Sequence, residues 1–405
     1  MARHTVIVGA SHGGIAAAAK LRALDPLAQI TIVSAEDAHP YQRPVLSKAY
    51  LSGKAALETI ALRPPSWFAD NSINLLRSVT ATSIDRTARI ISLSSGQNLS
   101  YDALVLATGA SPRKFPADRG GALKGVHTMR DLGDADRLKR EMVEGRRLVV
   151  IGGGYIGLEA ASEAAKKSVR VTVLEAADRI VKRVAARQTS DHLRALHQGH
   201  GVTIREGVQI DRIAGDNGLA TGVQLEDGET IPADFVVVGI GISPNTHVAE
   251  NAGLIIGNGI VVDSNMRTSD TCVYAVGDCA SFPYEGGHIR LESVQNANDQ
   301  GAVAAANIAG QELVYRSTPW FWSDQFDMKL QIAGLNTGYD DVLIHSGSGS
   351  TRAHLYFRDG AFLAADCFND PVTFAMSRKL LDSGKVLTRE QVGQPGFSIK
   401  AFLAS

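Results

Sequence analysis

Two short glycine-rich segments, each set between an apolar run and a helix-forming run, restrict this chain more than any other feature. The first is Gly9-Ala10-Ser11-His12-Gly13-Gly14, which follows Thr5-Val6-Ile7-Val8. The second is Gly152-Gly153-Gly154-Tyr155-Ile156-Gly157, which follows Leu148-Val149-Val150-Ile151. At a strand–turn–helix junction, glycines let the backbone approach a pyrophosphate, and the helix N-terminus supplies N–H groups and a positive dipole end. The first segment opens a βαβ unit over 5–8, 15–24 and 29–33, the second over 148–151, 156–166 and 169–174. Each unit has a carboxylate where an adenosine ribose normally finds its acceptor. These are Glu36, 22 residues after Gly14, and Glu175, 18 after Gly157. One such unit suggests one dinucleotide. Two suggest a flavin and a nicotinamide held face to face, FAD and NAD, and therefore the oxidation of NAD(P)H.

Length and composition agree with an ordinary globular protein. The chain has 405 residues, enough for two or three domains, with 44% hydrophobic and 20% charged residues. A net charge of −1 gives no global case for nucleic-acid binding. No apolar run reaches about 20 residues, so no membrane span is expected. Residues 1–4 run straight into the first strand, so no signal peptide is expected, and the cytoplasm is the expected compartment. Cys272, Cys279 and Cys367 are too few and too scattered for a disulfide framework or a zinc cluster, so no metal site is expected.

Further buried strands read at 101–109, at 235–241 and at 272–280, the last ending on Asp278. The texture changes at Trp320 to short alternating strands, including Leu355-Tyr356-Phe357 and Phe362-Leu363-Ala364, and then to a helix near 374–381. The run 346–350 reads as a hairpin loop. The expected fold is α/β: two Rossmann-like dinucleotide-binding domains, one inserted in the other, plus a C-terminal α+β domain. Residues 1–111 and 241–318 would form the FAD domain, 112–240 the NADH domain and 319–405 the tail domain.

Several side chains point to chemistry. Ser11 replaces the middle glycine of the first fingerprint and could offer its hydroxyl to phosphate. The second fingerprint is complete, and Glu175 favours NADH because a carboxylate there repels a 2′-phosphate. Arg179, Lys182, Arg183 and Arg187 follow it, either as a solvated basic helix face or as a site for that phosphate. Asp278 could accept from ribityl hydroxyls or cap a following helix. The segment 41–48 is dense in hydrogen-bonding groups, with Arg43 suited to phosphates and Lys48 to the flavin. No cysteine precedes Cys272, whereas disulfide reductases of this architecture carry a Cys-x₄-Cys pair after the first βαβ unit. A thiol relay is therefore not expected.

The ordered set of motifs 40–48, Ala107-Thr108-Gly109, 150–159, Ala275-Val276-Gly277-Asp278-Cys279, 292–297 and Pro319-Trp320-Phe321-Trp322-Ser323-Asp324-Gln325 resembles the oxygenase-coupled NADH-dependent ferredoxin reductases over nearly the whole chain. That resemblance implies FAD in the outer domain, NADH in the inserted one, and a two-iron two-sulfur ferredoxin as acceptor. It implies that Arg43, Lys48, Thr108, Arg130, Asp278 and Val294 touch FAD, with Gly9, Ser11, His12, Gly13, Gly14, Glu36, Ala81, Ala107, Gly109, Gly277 and Trp320 completing that lining. Gly152, Gly154, Tyr155, Ile156, Gly157, Glu175 and Gly241 would line NADH. Lys48 and Glu159 would form an ion pair beside the flavin. Ser11, Val45 and Ala35 depart from the common pattern.

Trp320 and Trp322 are spaced to share one face of a strand, either with at least one of them at the flavin, facing the acceptor, or as aromatic core of the tail domain. Arg63, Arg290 and Lys329 are candidate docking cations. The expected enzyme passes electrons from NADH to a ferredoxin that serves a haem-thiolate monooxygenase or a ring-hydroxylating dioxygenase, as a monomer or weak homodimer. The alternatives are a rubredoxin reductase, or a flavin redox-signalling protein resembling apoptosis-inducing factor.

Overall fold

The computed structural model describes residues 3–347, 349–394 and 396–404. Met1 and Ala2 of the N-terminal stretch, and Ser348 of the run 346–350, lie outside the described residues. The chain divides into two compact units. The first gathers the segments up to Arg43, Ala55–Ser111 and Ile242–Ser317, and the second gathers Pro44–Lys54, Pro112–Gly241 and the segment from Thr318 on.

The first unit is built on a five-stranded parallel sheet in the order Val273–Ala275, Ala103–Leu106, His4–Val8, Gln29–Val33, Ile73–Leu76. Its strands are continuous apolar runs because parallel strands are covered on both faces, and Val6, Ile7, Leu104 and Val105 are fully buried. The helix His12–Leu24 lies against the helix Val294–Ile308. Their approach is so close that a Cβ on Gly301 would meet Gly13 O at 2.3 Å.

The second unit contains a parallel sheet in the order Thr203–Glu206, Arg170–Glu175, Arg147–Ile151, Phe235–Val238, Val126–His127. The helix Tyr155–Ala165 follows its central strand, as the second fingerprint requires. The tail adds a five-stranded antiparallel sheet ordered Trp320–Gln325, Met328–Gly334, Ala361–Phe368, Arg352–Arg358, Asp341–Ser346, with the helix Pro371–Ser383 packed on it through Phe374 and Leu381. Strands Asp341–Ser346 and Arg352–Arg358 pair antiparallel, so the run between them joins a hairpin. The fold is thus two Rossmann-like domains with a C-terminal α+β domain. Among the described residues, no helix is long and apolar enough to cross a membrane.

Candidate functional site

Both fingerprints form cradles that only glycine allows. Gly9 has φ +113°, and a Cβ there would stand 2.1 Å from Ala107 O. A Cβ on Gly14 would meet Gly9 O at 1.9 Å. The second turn repeats this. Gly152 has φ +104° with Gly239 O 2.4 Å from its virtual Cβ, and Gly157 would meet Gly152 O at 2.4 Å. The middle position differs in kind. Gly154 and Ser11 are the N-caps of their helices, with ordinary extended backbones, and a Cβ on Gly154 would meet nothing within 4 Å. Serine at position 11 is therefore unstrained. Its hydroxyl makes no cap bond to the helix and is 3.5 Å from His12 Nδ1. The open space at this position is what a pyrophosphate requires, so the residues present fit two dinucleotides.

Of the residues expected at FAD, the first unit holds those of the first cradle with Glu36, Arg43, Ala81, Ala107, Thr108, Gly109, Gly277, Asp278 and Val294, whereas Lys48, Arg130 and Trp320 fall in the second unit. Thr108 Oγ1 donates to Asn245 O at 2.7 Å, and Asn245 Nδ2 returns a bond to Thr108 O at 2.9 Å. Gly109 follows at φ +67°, and its carbonyl accepts from Asn245 N. Sequence reading missed Asn245, whose only signal is its place after the glycine turn at Gly241. Gly277 and Asp278 sit in a short 3-10 turn, with Gly277 N donating to Gln300 Oε1 at 2.8 Å. No helix follows Asp278 directly, so its expected capping role is corrected. Val294 opens the next helix, capped by Ser293. Ala81 begins a strand of a small antiparallel sheet. Glu36 is ion-paired with Arg43 and accepts from the Tyr41 hydroxyl, so the ribose and phosphate candidates hold each other.

In the second unit, Glu175 serves the second cradle. Its Oε2 accepts from Gly153 N at 2.7 Å and its Oε1 from Ala177 N at 2.8 Å. Ile156 at the start of the helix leaves 44% of its surface exposed. Gly241 turns at φ +103°, with its carbonyl accepting from Arg113 N. Tyr155 lies beside Phe321, ring centroids 5.3 Å apart. Arg130 N donates to Asp134 Oδ2.

The expected Lys48–Glu159 pair forms, with Nζ 2.9 Å from Oε1 and Glu159 only 1% exposed. Two partners escaped the sequence reading: Ser47 Oγ donates to Glu159 Oε2 at 2.6 Å, and Ser323 Oγ to Oε1 at 2.7 Å. A serine beside a lysine, or on an aromatic strand, carries no signal of a buried carboxylate over 100 residues away. The rings of Trp320 and Trp322 lie 5.6 Å apart, as their spacing predicts, and the Arg378 guanidinium stacks over Trp320 at 5.1 Å.

Two expectations need correction. The basic residues after Glu175 lie in a turn, and the next helix begins only at Arg187. Arg179 is buried, its Nη1 donating to Ser190 Oγ at 2.6 Å, while Lys182 and Arg187 face Asp178. Arg290 points inward, with Nη1 donating to Asp278 O and Nη2 2.8 Å from Glu292 Oε1, so it offers no docking charge. Arg63 and Lys329 are exposed. Cys279 lies near the first cradle, but it is fully buried and burial raises its thiol above the usual range, which suits packing and not a relay.

The pyridine nucleotide-disulphide oxidoreductase family model matches residues 3–301, and the reductase C-terminal model matches residues 320–403. Rhodocoxin reductase of Rhodococcus erythropolis is 42% identical over 402 residues, covering 98% of this chain and 94% of the relative. Two solved structures superpose over nearly the whole length. The putidaredoxin reductase of a covalent putidaredoxin reductase–putidaredoxin complex matches with TM-score 0.96 at 38% identity, over 99% of this chain and 98% of its own. The ferredoxin reductase for the CYP199A2 system from Rhodopseudomonas palustris matches with TM-score 0.95 at 38% identity, over 99% of both chains.

The chain belongs to the oxygenase-coupled ferredoxin reductases. It is an FAD- and NAD-dependent oxidoreductase, and the two glycine cradles are the physical basis of that pairing. The tail of this ferredoxin reductase carries Trp320 and Trp322 on its first strand and supplies Ser323 to the Glu159 carboxylate.

Proposed function

We propose that this reductase takes electrons from NADH and delivers them singly to a two-iron two-sulfur ferredoxin, which serves a haem-thiolate monooxygenase or a ring-hydroxylating dioxygenase. The observation that carries this reading is the pair of glycine cradles, with Cys279, the thiol near the first of them, sealed in the core. When bound, FAD supplies the conversion of a two-electron donor into one-electron steps. The chain's own task is to hold the two nucleotides, exclude water and present an exit for electrons.

In this reading Gly9, Ser11, Gly14 and the helix N-terminus after them receive the FAD pyrophosphate, and Arg43, Thr108, Arg130, Asp278 and Val294 line the remainder. The second cradle receives NADH, with Glu175 selecting it over NADPH. Lys48, fixed by Glu159, serves the flavin ring, and the tryptophan pair marks the ferredoxin surface, with Arg63 and Lys329 as its remaining candidate cations. The domain limits 1–111 with 241–318, 112–240 and 319–405, a cytoplasmic setting, and a monomer or weak homodimer belong to the same proposal. The rubredoxin alternative shares every step except the acceptor. A panel of purified ferredoxins and rubredoxins, assayed by NADH-dependent cytochrome c reduction, separates the two. Ferredoxin-dependent turnover supports the proposal, and turnover with rubredoxin alone replaces it with the alternative.

A further inference from the structure

The turn over 176–186, between the strand ending at Glu175 and the helix Arg187–Gly199, lies directly on the second cradle. Val181 N donates to Gly153 O at 3.0 Å, and a Cβ on Gly153 would stand 2.5 Å from Ile180 Cγ2. Val181 is buried at φ +46°, a left-handed conformation that a β-branched side chain disfavours. Such backbone strain persists only where surrounding structure over-determines it. Part of that restraint is local: Ile180 N donates to Glu206 Oε1 at 2.7 Å, and Ser190 Oγ donates to Ile180 O at 2.7 Å.

The rest comes from the tail sheet. Ala186 N, at the end of the turn, donates to Tyr356 OH at 3.1 Å. Thr189 Oγ1, in the first turn of the helix, donates to Asp366 Oδ2 at 2.7 Å and lies 2.8 Å from His354 Nδ1. Tyr356 OH donates to the same Asp366 oxygen. His354 and Asp366 are register partners on adjacent strands, and all four side chains are fully buried. His354 Nε2 and Asp366 Oδ1 are buried without a hydrogen-bond partner, so the cluster is held by the bonds among Thr189, Tyr356 and Asp366, and these fix whatever they are bonded to. Tyr155, at the head of the fingerprint helix, feels the same groups: its buried hydroxyl is raised well above its usual range, first by burial and then by Asp366 and Tyr356.

We propose that Tyr356, Asp366 and Thr189 are positioning residues for nicotinamide-dinucleotide binding: through them the tail domain clamps the strained 176–186 turn onto Gly153 and thereby sets affinity for the adenosine half of NADH. This rests on the reading of the second cradle as the NADH site. The tail domain then has a second task, separate from the electron-exit surface that its tryptophans form.

The test uses FAD-loaded protein carrying Tyr356→Phe, Asp366→Asn or Thr189→Val, with Thr189→Ser as the variant that keeps the hydroxyl. NAD+ dissociation constants are measured by titration, alongside KM for NADH and kcat with ferricyanide. The expected result is an NAD+ dissociation constant and a KM for NADH raised about tenfold in Tyr356→Phe and Thr189→Val, about 1.4 kcal/mol. The kcat should change less than twofold, and Thr189→Ser should stay near wild type. If Asp366→Asn does not fold, the two milder variants still decide the matter. NAD+ affinity unchanged in both, with or without a fall in Tm, overturns the positioning role and leaves the NADH site standing. Wild-type protein that binds no NAD+ overturns that site and the proposal with it.

Discussion

Glu159 takes three donors on two oxygens: Ser47 on one, Lys48 and Ser323 on the other. Removing the cation from such a buried pair leaves a carboxylate without its charge partner, which costs about 3–5 kcal/mol in comparable cases. Lys48→Met is therefore expected to lower stability and either slow flavin reduction by NADH or shift the flavin potential. Stopped-flow reduction and a redox titration check this, and wild-type values in both would refute the role of Lys48. Glu175 makes a different prediction. Its two oxygens accept from Gly153 N and Ala177 N, so Glu175→Ser frees two backbone donors beside the second cradle and removes the negative charge that, in the proposed reading, disfavours a 2′-phosphate. Charge-assisted hydrogen bonds of about 1.5–3 kcal/mol apiece imply at least a tenfold rise in NADPH use relative to NADH. The ratio of kcat/KM for the two nucleotides measures it, and an unchanged ratio contradicts it. The pair itself was suggested by family resemblance. Its serine partners were not legible, because their proximity arises from packing among elements remote in sequence.

At the scale of elements, the strand–glycine–helix junctions carry both the fold and the site. Gly9→Ala is expected to disrupt the first cradle, since left-handed strain of about 1–3 kcal/mol adds to a clash with Ala107 O. The variant should purify without FAD or fail to fold, and an FAD-loaded variant with the wild-type Tm would contradict the account. These junctions were legible because glycine, apolar runs and distant carboxylates leave a local signature. Ser11 looked like a defect in sequence and is none, since its position needs space and not a left-handed backbone. The segment Pro44–Lys54 was less legible. It reads as a continuation of the first domain, yet it groups with the second unit, and Leu51 is fully buried in that unit's core. The Tyr356–Asp366 cluster was invisible for a related reason: polar residues alternating in a strand read as a solvent face until a helix covers them.

Across the whole molecule, charge and titration set the conditions under which it works. His197 and His354 are buried and pushed down from 6.5 to about 4, mainly by desolvation, while burial raises Asp366 from 3.8 to about 6. Between about pH 6.5 and 4 the unfolded chain protonates both histidines and the native chain does not, so stability falls as pH falls. Asp366 acts oppositely: the native carboxyl takes up its proton near 6, which stabilises the fold as pH drops from about 6 towards 4. Two histidines outweigh one carboxyl, so a net loss is expected. Urea midpoints at pH 7 and pH 5 measure it, with a smaller drop in His354→Gln; equal midpoints for the wild type would contradict it. In the proposed function, NADH electrons leave through this protein to a ferredoxin. Anaerobic mixing with NADH and an excess of oxidised two-iron two-sulfur ferredoxin, followed at the ferredoxin absorbance, tests it most directly. Two ferredoxins should be reduced per NADH, at a rate that falls as salt rises. Flavin reduced promptly by NADH with every ferredoxin tried left oxidised would contradict it.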